Sequence, residues 1–204
     1  MQWHRLDPEK TENLIAAIAR IGGPASFTAQ NSEAKCMRLP FFEHILLYRI
    51  TNHTMMPIFQ MDFLGNGTDF YYLDGTFAPI QRACTHSALD LDEHNMAAYL
   101  QFYFFNVLQE DGEIYPVYER SPIPDLEDQN VHATHADVPE GGYLFEIETE
   151  ESGSFHVSTC LFYDGGWMIA GLRIKPTGEV EITGLKPLFG HASGAFQSSS
   201  KDHF

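Results

Sequence analysis

Basic residues, cysteines and long apolar runs are all scarce in this chain, and each scarcity excludes a class of function. Its 204 residues include 12 Lys and Arg against 28 Asp and Glu, which gives a formal net charge of -16. A surface of that sign repels the phosphates of nucleic acids and the anionic headgroups of membranes, so we expect neither as a partner. The acidity itself is typical of a soluble protein.

Cysteine occurs only as Cys36, Cys84 and Cys160, which are far apart in the chain. An odd number at wide spacing is neither a disulfide framework nor a Cys-x-x-Cys metal site, and free thiols are typical of a reducing compartment. No apolar run approaches the ~20 residues that a membrane-spanning helix needs, and no basic flank precedes an apolar stretch at the N-terminus. We therefore expect a soluble cytoplasmic protein.

Aromatic residues, in contrast, are plentiful, with 16 Phe, 9 Tyr and 2 Trp. This supply favours a sheet-rich fold with aromatic side chains in its core. The densest apolar stretch lies in a predicted helix from Asp92 to Gln109, whose apolar positions nearly encircle the helix axis. Because such a helix is buried on most sides, we predict that it forms the centre of the core and that Phe102 and Phe105 are both buried.

The rest of the chain shows one further helix and many short strands. Asp7 is a suitable N-cap residue, and Pro8 and Glu9 suit the first turn of a helix. Gly22 follows the last apolar position and is a stop signal, so a helix is predicted between Asp7 and Gly22. Short apolar or alternating stretches separated by glycine turns predict the strands. These strands span residues 25–30, 35–39, 41–52, 57–64, 68–73, 78–83, 113–119, 143–149, 155–163, 167–175 and 179–188.

This order of elements predicts an α+β fold, in a single domain over residues 1–189. An N-terminal helix and a large curved antiparallel sheet, made of two meanders, would pack around the one aromatic central helix. A sheet that wraps one helix follows the general architecture of cystatin-like or NTF2-like cones, although no motif of either family is present. The tail over residues 190–204 is small, polar and without a period, and we expect it to be disordered.

A first candidate site is His132, His135 and Asp137, within a long loop rich in proline and acids. Two imidazoles and a carboxylate can supply three ligands to a divalent metal such as Zn²⁺. Their spacing has no helical support, unlike the His-Glu-x-x-His motif, which directs both rings to one side. A solvated acidic loop that contains histidines is the alternative interpretation, and we expect no metal or other cofactor.

A second candidate is the pair Cys84 and His86, which precedes the aromatic helix. On a strand, residues two apart point the same way, so a thiol and an imidazole would be neighbours, as in a nucleophile and its base. The nearby acids Asp90, Asp92 and Glu93 disfavour the thiolate that such chemistry needs. A strand end followed by a helix cap is therefore the expected role.

A third candidate is a set of polar residues inside otherwise apolar strands. If the strands curve around a pocket, such side chains can bind a ligand or act as acid and base. Simple alternation instead places them on the solvent face of half-exposed strands. The polar strand residues are His44, Arg49, Asp62, His156 and Arg173. Of these, His44, Asp62 and Arg173 are the candidates to line a pocket, and His86, which precedes the central helix, is a fourth.

The sequence contains no glycine-rich phosphate loop and no Gly-x-Ser-x-Gly elbow. We therefore expect a ligand-binding or protein-interaction module whose partner is a small molecule or a protein. Exposed strand edges and surplus aromatics also favour a homodimer. Two alternatives stay open: an enzyme with a cone-shaped pocket that uses a His and an Asp as acid and base, and a metal protein that uses the His132–Asp137 loop.

The metal alternative is tested by elemental analysis of the purified full chain. We expect less than one equivalent of any transition metal, because the histidine spacing has no helical support. One equivalent of zinc that disappears in the His135→Ala variant would contradict this expectation.

Overall fold

The computed structural model describes residues 2–109, 112–117, 144–164 and 166–187, and these contain three helices and ten strands. None of the described helices is long and apolar enough to cross a membrane. The helices are α1 (Pro8–Arg20), α2 (Ala78–Cys84) and α3 (Met96–Asn106). The strands are β1 (His4–Arg5), β2 (Ser32–Arg38), β3 (Leu46–Asn52), β4 (Phe59–Gly65), β5 (Phe70–Tyr72), β6 (Ile114–Pro116), β7 (Phe145–Thr149), β8 (Phe155–Tyr163), β9 (Gly166–Ile174) and β10 (Val180–Pro187).

The strands form two antiparallel sheets of five. The first sheet has the order β1-β2-β3-β4-β5, so every strand pairs with its neighbour in the chain. The second has the order β10-β9-β8-β6, and β7 also pairs with β8. Here β6 pairs with residues 161–163 of β8 and β7 with residues 155–159, so the two share one edge of that long strand. The predicted α+β class is confirmed. The two meanders predicted as one large sheet form two separate sheets instead.

Helix α1 covers one face of the first sheet, and its start is the one predicted. The side chain of Asp7 accepts a hydrogen bond from the backbone N–H of Lys10 at 2.8 Å, which satisfies one of the unpaired donors of the first turn. Gly22, with φ of +84°, provides the left-handed conformation that follows the helix. The apolar side chains of this layer form a cluster with Leu14, Ala17, Ile18, Ile50, Phe63 and Phe70 among its members.

Helix α3 lies in the larger apolar cluster, which draws residues from both sheets. Met96, Tyr99 and Leu100 are fully buried. The ring of Phe41 packs on this helix, with its centroid 5.0 Å from that of Tyr99 and 5.3 Å from that of Phe102. The aromatic helix is thus part of the core, as predicted.

One side of α3 nevertheless faces solvent. Phe105 is 69% exposed and Leu108 is 77% exposed, whereas Phe102 is 4% exposed. Gln101 is exposed as well, and positions 101 and 105 share one face because residues four apart are neighbours on a helix. Leu108 lies beyond the helix, which ends at Asn106. The prediction that Phe105 is buried is therefore wrong, since a continuous aromatic run also places rings on the outward face.

The helix also starts later than predicted. The side chain of Asp92 accepts hydrogen bonds from the backbone N–H groups of His94 and Asn95, both at 2.9 Å. This turn stands before the helix proper, which begins at Met96. The acids of this segment therefore shape a turn that leads into α3 rather than its first turn.

The strand predicted over residues 78–83 is wrong, because the segment is helix α2. Asp74 accepts hydrogen bonds from the N–H and the hydroxyl of Thr76, at 2.9 and 2.7 Å, and so forms a local turn instead of a hairpin. Pro79 then lies in the first turn of the helix, where its missing N–H is harmless. Ile80 and Ala83 are three residues apart and fully buried, which defines the apolar face.

Residues 25–30 were also predicted as a strand and form turns instead. The side chain of Asn31 accepts from the N–H of Thr28 at 2.9 Å and donates to the carbonyl of Ser26 at 3.0 Å. Side-chain bonds of this kind satisfy the backbone without a strand partner. The predicted tail over residues 190–204 lies outside the described residues.

Two phenylalanines on α3 give a matched test of this packing. Phe102→Ala is expected to lower the free energy of unfolding by about 3–5 kcal/mol through the cavity it leaves. Phe105→Ala is expected to lower it by less than about 1 kcal/mol, because the ring is already largely in water. Urea denaturation of the two variants measures both values, and equal losses would mean that the face of α3 is misassigned.

Candidate functional site

An open groove of about 720 Å³ is lined by two segments that are remote in the chain. One segment spans residues 38–44 and the other spans residues 86–90. They meet in an antiparallel bridge between Phe42 and Leu89, beside which the N–H of Asp90 donates to the carbonyl of Phe41 at 3.1 Å. The volume lies in the range typical of small-molecule sites.

Burial of the apolar side chains explains why the first segment presents polar groups to the groove. Leu39, Phe41 and Ile45 are at most 1% exposed, and they hold the segment against the core. The intervening polar side chains of Glu43 and His44 are therefore left on the surface, where both are exposed. The local chain path thus follows from where the apolar residues must go.

The second segment is shaped by the end of α2. The backbone N–H groups of His86 and Ser87 both donate to the carbonyl of Ala83, at 3.0 and 3.1 Å, and continue the last helical turn. Ser87 is buried by this turn, while His86 and Ala88 stay exposed. The imidazole of His86 is thereby turned toward the groove that it lines.

The groove combines an apolar floor with a titratable rim. Its apolar lining is Leu39, Pro40, Phe42, Ala88 and Leu89, and its charged or titratable lining is Arg38, Glu43, His44, His86 and Asp90. Phe42 is 5% exposed and belongs to the main core cluster, so the floor is rigid. This arrangement suits a ligand with an apolar body and a polar end.

Both imidazoles on the rim are accessible. The side chain of His44 is 68% exposed, and its Nε2 lies 3.5 Å from Glu43 Oε2. The side chain of His86 is 44% exposed, and its Nδ1 lies 3.9 Å from Asp69 Oδ2. Neither separation is a hydrogen bond of ordinary length, which leaves both rings available to a ligand. His44 and His86, both predicted as pocket candidates, therefore line one groove.

Asp62, a further pocket candidate, lies elsewhere. It accepts two hydrogen bonds from Arg49 on the neighbouring strand, Nε to Oδ1 at 2.9 Å and Nη2 to Oδ2 at 2.7 Å. The ring of Trp3 covers the guanidinium carbon at 4.7 Å from its centroid. The Asp62 side chain is only 12% exposed, so it is not on a solvent face as alternation predicts, because the N-terminal segment packs over this part of the sheet.

Arg173, the last pocket candidate, belongs to a separate ionic cluster on the second sheet. Arg173 and His156 are cross-strand neighbours, and both contact Glu150. Arg173 Nη2 lies 3.1 Å from Glu150 Oε2, and His156 Nε2 lies 2.6 Å from Oε1. A hydrogen bond from Ser152, assisted by the charge of Arg173, lowers the pKa of the Glu150 carboxyl. The cluster ties the β7–β8 turn to β9 and does not line the groove.

The Cys84–His86 pair is not placed as the nucleophile hypothesis requires. Cys84 is the last residue of helix α2, so the alternation of a strand does not apply to it. Burial raises the pKa of its thiol, which lowers the fraction of reactive thiolate at neutral pH. The residues predicted as a strand end are a helix end instead.

The proposed metal ligands His132, His135 and Asp137 lie outside the described residues. Among the residues that are described, no group of three or more His, Cys, Asp or Glu side chains is placed to hold a metal ion. Arg38 and Glu43 are charged groove residues that sequence reasoning missed. Glu43 follows two buried phenylalanines, and Arg38 has no more distinctive context. It ends a strand, and no local pattern distinguishes it from any exposed arginine.

Comparison with known proteins identifies no relative: no family model, no curated protein and no solved structure matches the chain. The likeness to cystatin-like or NTF2-like cones thus remains an architectural analogy.

The Arg49–Asp62 pair predicts a measurable asymmetry in stability. Asp62→Asn is expected to lower the free energy of unfolding by about 1–3 kcal/mol, because it leaves a largely buried guanidinium without its counter-charge. The double variant Arg49→Met/Asp62→Leu is expected to recover most of that loss, since it removes the unpaired charge. Urea denaturation measures both.

Arg5→Met is the matched control, because Arg5 pairs with Glu33 but its side chain is 73% exposed. We expect it to change the free energy of unfolding by less than about 1 kcal/mol. A double variant that is no more stable than Asp62→Asn would argue against this account of the pair.

Proposed function

We propose that the protein is a binding module that takes a small amphipathic ligand in the groove between residues 38–44 and residues 86–90. The observation that carries the proposal is the meeting of a rigid apolar floor with two accessible imidazoles in one concavity. Ligand sites typically combine mostly apolar walls with a few polar groups that orient the ligand. The groove has this composition.

Binding is favoured over acid–base catalysis by the distances around the imidazoles. A catalytic histidine is usually oriented by a carboxylate at hydrogen-bond length. His86 lies 3.9 Å from its nearest charged partner, Asp69, and the 2.6 Å contact of His156 with Glu150 lies on the second sheet, outside the groove. No specific observation among the described residues favours the enzyme alternative.

A small molecule is favoured over a second copy of the chain. Pairing between sheet edges needs long, regular strands with free backbone groups. The edge strands β1 and β5 have only two and three residues. The edge strand β10 is interrupted by a bulge between Ile182 and Gly184 and ends at Pro187, and both features discourage pairing. Self-association stays a prediction, and the edges formed by β1, β5 and β10 do not support it.

The state of the cysteines supports a reducing compartment, and we propose the cytoplasm. Cys36, Cys84 and Cys160 are all free. Free thiols persist where disulfides are kept reduced.

The proposal is tested by filling the groove. Ala88 is exposed and lines the groove, so Ala88→Trp is expected to occupy its volume without disturbing the core. The probes are phenylmethanesulfonate, benzylamine and benzyl alcohol, which share a benzyl body and differ in charge. Ligand-observed NMR is expected to detect at least one probe with a Kd of about 1 mM, equivalent to about -4 kcal/mol, and Ala88→Trp is expected to abolish that binding.

Ala19→Trp is the matched control, because Ala19 is exposed on α1 and does not line the groove. It is expected to bind the probe as the natural chain does. Binding that survives Ala88→Trp, or that is absent for all three probes, would exclude the groove as the ligand site.

A further inference from the structure

We infer that the groove selects amphipathic anions and that protonation of His44 and His86 controls their binding. The inference rests on the proposed function, since it assigns a ligand class and a regulation to the same groove. It starts from the placement of the two imidazoles, which come from different segments and line one concavity.

The β-bridge between Phe42 and Leu89 explains why the two imidazoles lie at the same end of the groove. Phe42 pairs antiparallel with Leu89, so the chain that follows Phe42 and the chain that precedes Leu89 run on the same side of the bridge. His44 follows Phe42 and His86 precedes Leu89, and both therefore lie on that side. Both rings therefore border the same end of the groove.

Arg38 adds a permanent positive charge to the lining. It is exposed, and it makes no ion pair with any carboxylate in the described parts of the chain. Other cations, such as Arg49 and Arg173, are held by carboxylates that neutralise them. Arg38 precedes Phe42, so it lies on the other side of the bridge from the two imidazoles, and its guanidinium adds to the charge of the whole lining rather than to the end that the two rings border.

The charge of the lining depends on the imidazoles. When both imidazoles are neutral, the lining has one positive charge, on Arg38, and two negative charges, on Glu43 and Asp90. Its net charge is then minus one. Protonation of both imidazoles reverses it to one net positive charge. Histidine is the residue type that ordinarily changes charge between about pH 5 and pH 8. An anion is consequently repelled at the upper end of this range and attracted at the lower end.

Other charged groups near the imidazoles do not remove this dependence. Asp69 faces His86 from the turn before β5, and Glu43 adjoins His44. Tyr71 lies beside His86 with ring centroids 5.9 Å apart, and burial raises the pKa of its hydroxyl, which therefore stays neutral in this range. Among these residue types only histidine ordinarily changes charge between about pH 5 and pH 8, so the change of two charges is assigned to the imidazoles.

The apolar floor determines the rest of the ligand. An inorganic anion would meet only the rim, whereas a body that covers Pro40, Ala88 and Leu89, the accessible apolar residues of the lining, gains from burial of apolar surface. The whole chain carries a charge of -16, which opposes anions at long range. Short-range contacts in the groove must therefore supply the affinity, which favours an anion with an apolar body.

The inference is tested with the same three benzyl probes at about pH 5.5 and about pH 8, where histidine ordinarily changes charge. Phenylmethanesulfonate keeps its charge throughout and is expected to bind about tenfold more tightly at the lower pH. Benzyl alcohol is expected to show no pH dependence, and benzylamine is expected to bind less tightly at the lower pH. Isothermal titration and ligand-observed NMR provide the dissociation constants.

The double variant His44→Gln/His86→Gln is expected to abolish the pH dependence of sulfonate binding. Neither side chain is buried in the core, so the variant is expected to unfold at nearly the same urea concentration as the natural chain. His94→Gln is the matched control, because His94 is exposed and does not line the groove. It is expected to retain the full pH dependence.

The outcomes separate the two claims. The inference would be overturned, and the binding function would stand, if two results were found together. Benzyl alcohol would bind the natural chain but not Ala88→Trp, and sulfonate binding would show no pH dependence. Tighter binding of benzylamine at the lower pH would also overturn it. Failure of all three probes at both pH values would remove the proposed function and the inference with it.

Discussion

The packing of Phe41 against helix α3 is the contact on which the rest of the structure depends. Its ring touches Tyr99 and Phe102, and its carbonyl accepts the N–H of Asp90. One residue thus joins the core helix to both segments that line the groove. Tyr99 extends the contact to the second sheet, because its hydroxyl donates to the carbonyl of Gly178. Burial raises the pKa of Tyr99 far above its ordinary value, so that donor is always protonated.

Some polar side chains in this fold are paired with another charged group, and others are accessible to solvent. Two arginines within the strands are paired, Arg49 with Asp62 and Arg173 with Glu150. Such pairs cost desolvation and are kept only when the geometry is good. Beside the core, on the irregular segments, His44 and His86 remain accessible. Binding chemistry therefore lies in the loops, which the rigid core positions.

Much of the fold was predictable because its signals are local. Asp7 and Pro8 mark the start of α1 through bonds that span only a few residues, and strand β8 has the bounds that alternation and flanking turns predict. Helix α2 was not predictable in this way, since Pro79 and the turn at Asp74 suit a helix start and a loop equally well. The exposure of Phe105 was hidden for another reason, because its neighbours in the chain are equally aromatic and only the packing selects which face is buried.

The sequence by itself determined the class of fold, the core helix and the scarcity of positive charge, because composition and periodicity act through short-range preferences and through summed charge. Tertiary structure alone decided which polar residues meet. His44 and His86 share a groove because Phe42 pairs with Leu89 across the intervening strands β3, β4 and β5 and helix α2. Asp62 is withdrawn from any groove because Arg49 faces it on the next strand. These pairings depend on long-range contacts, for which neighbouring residues carry no signal.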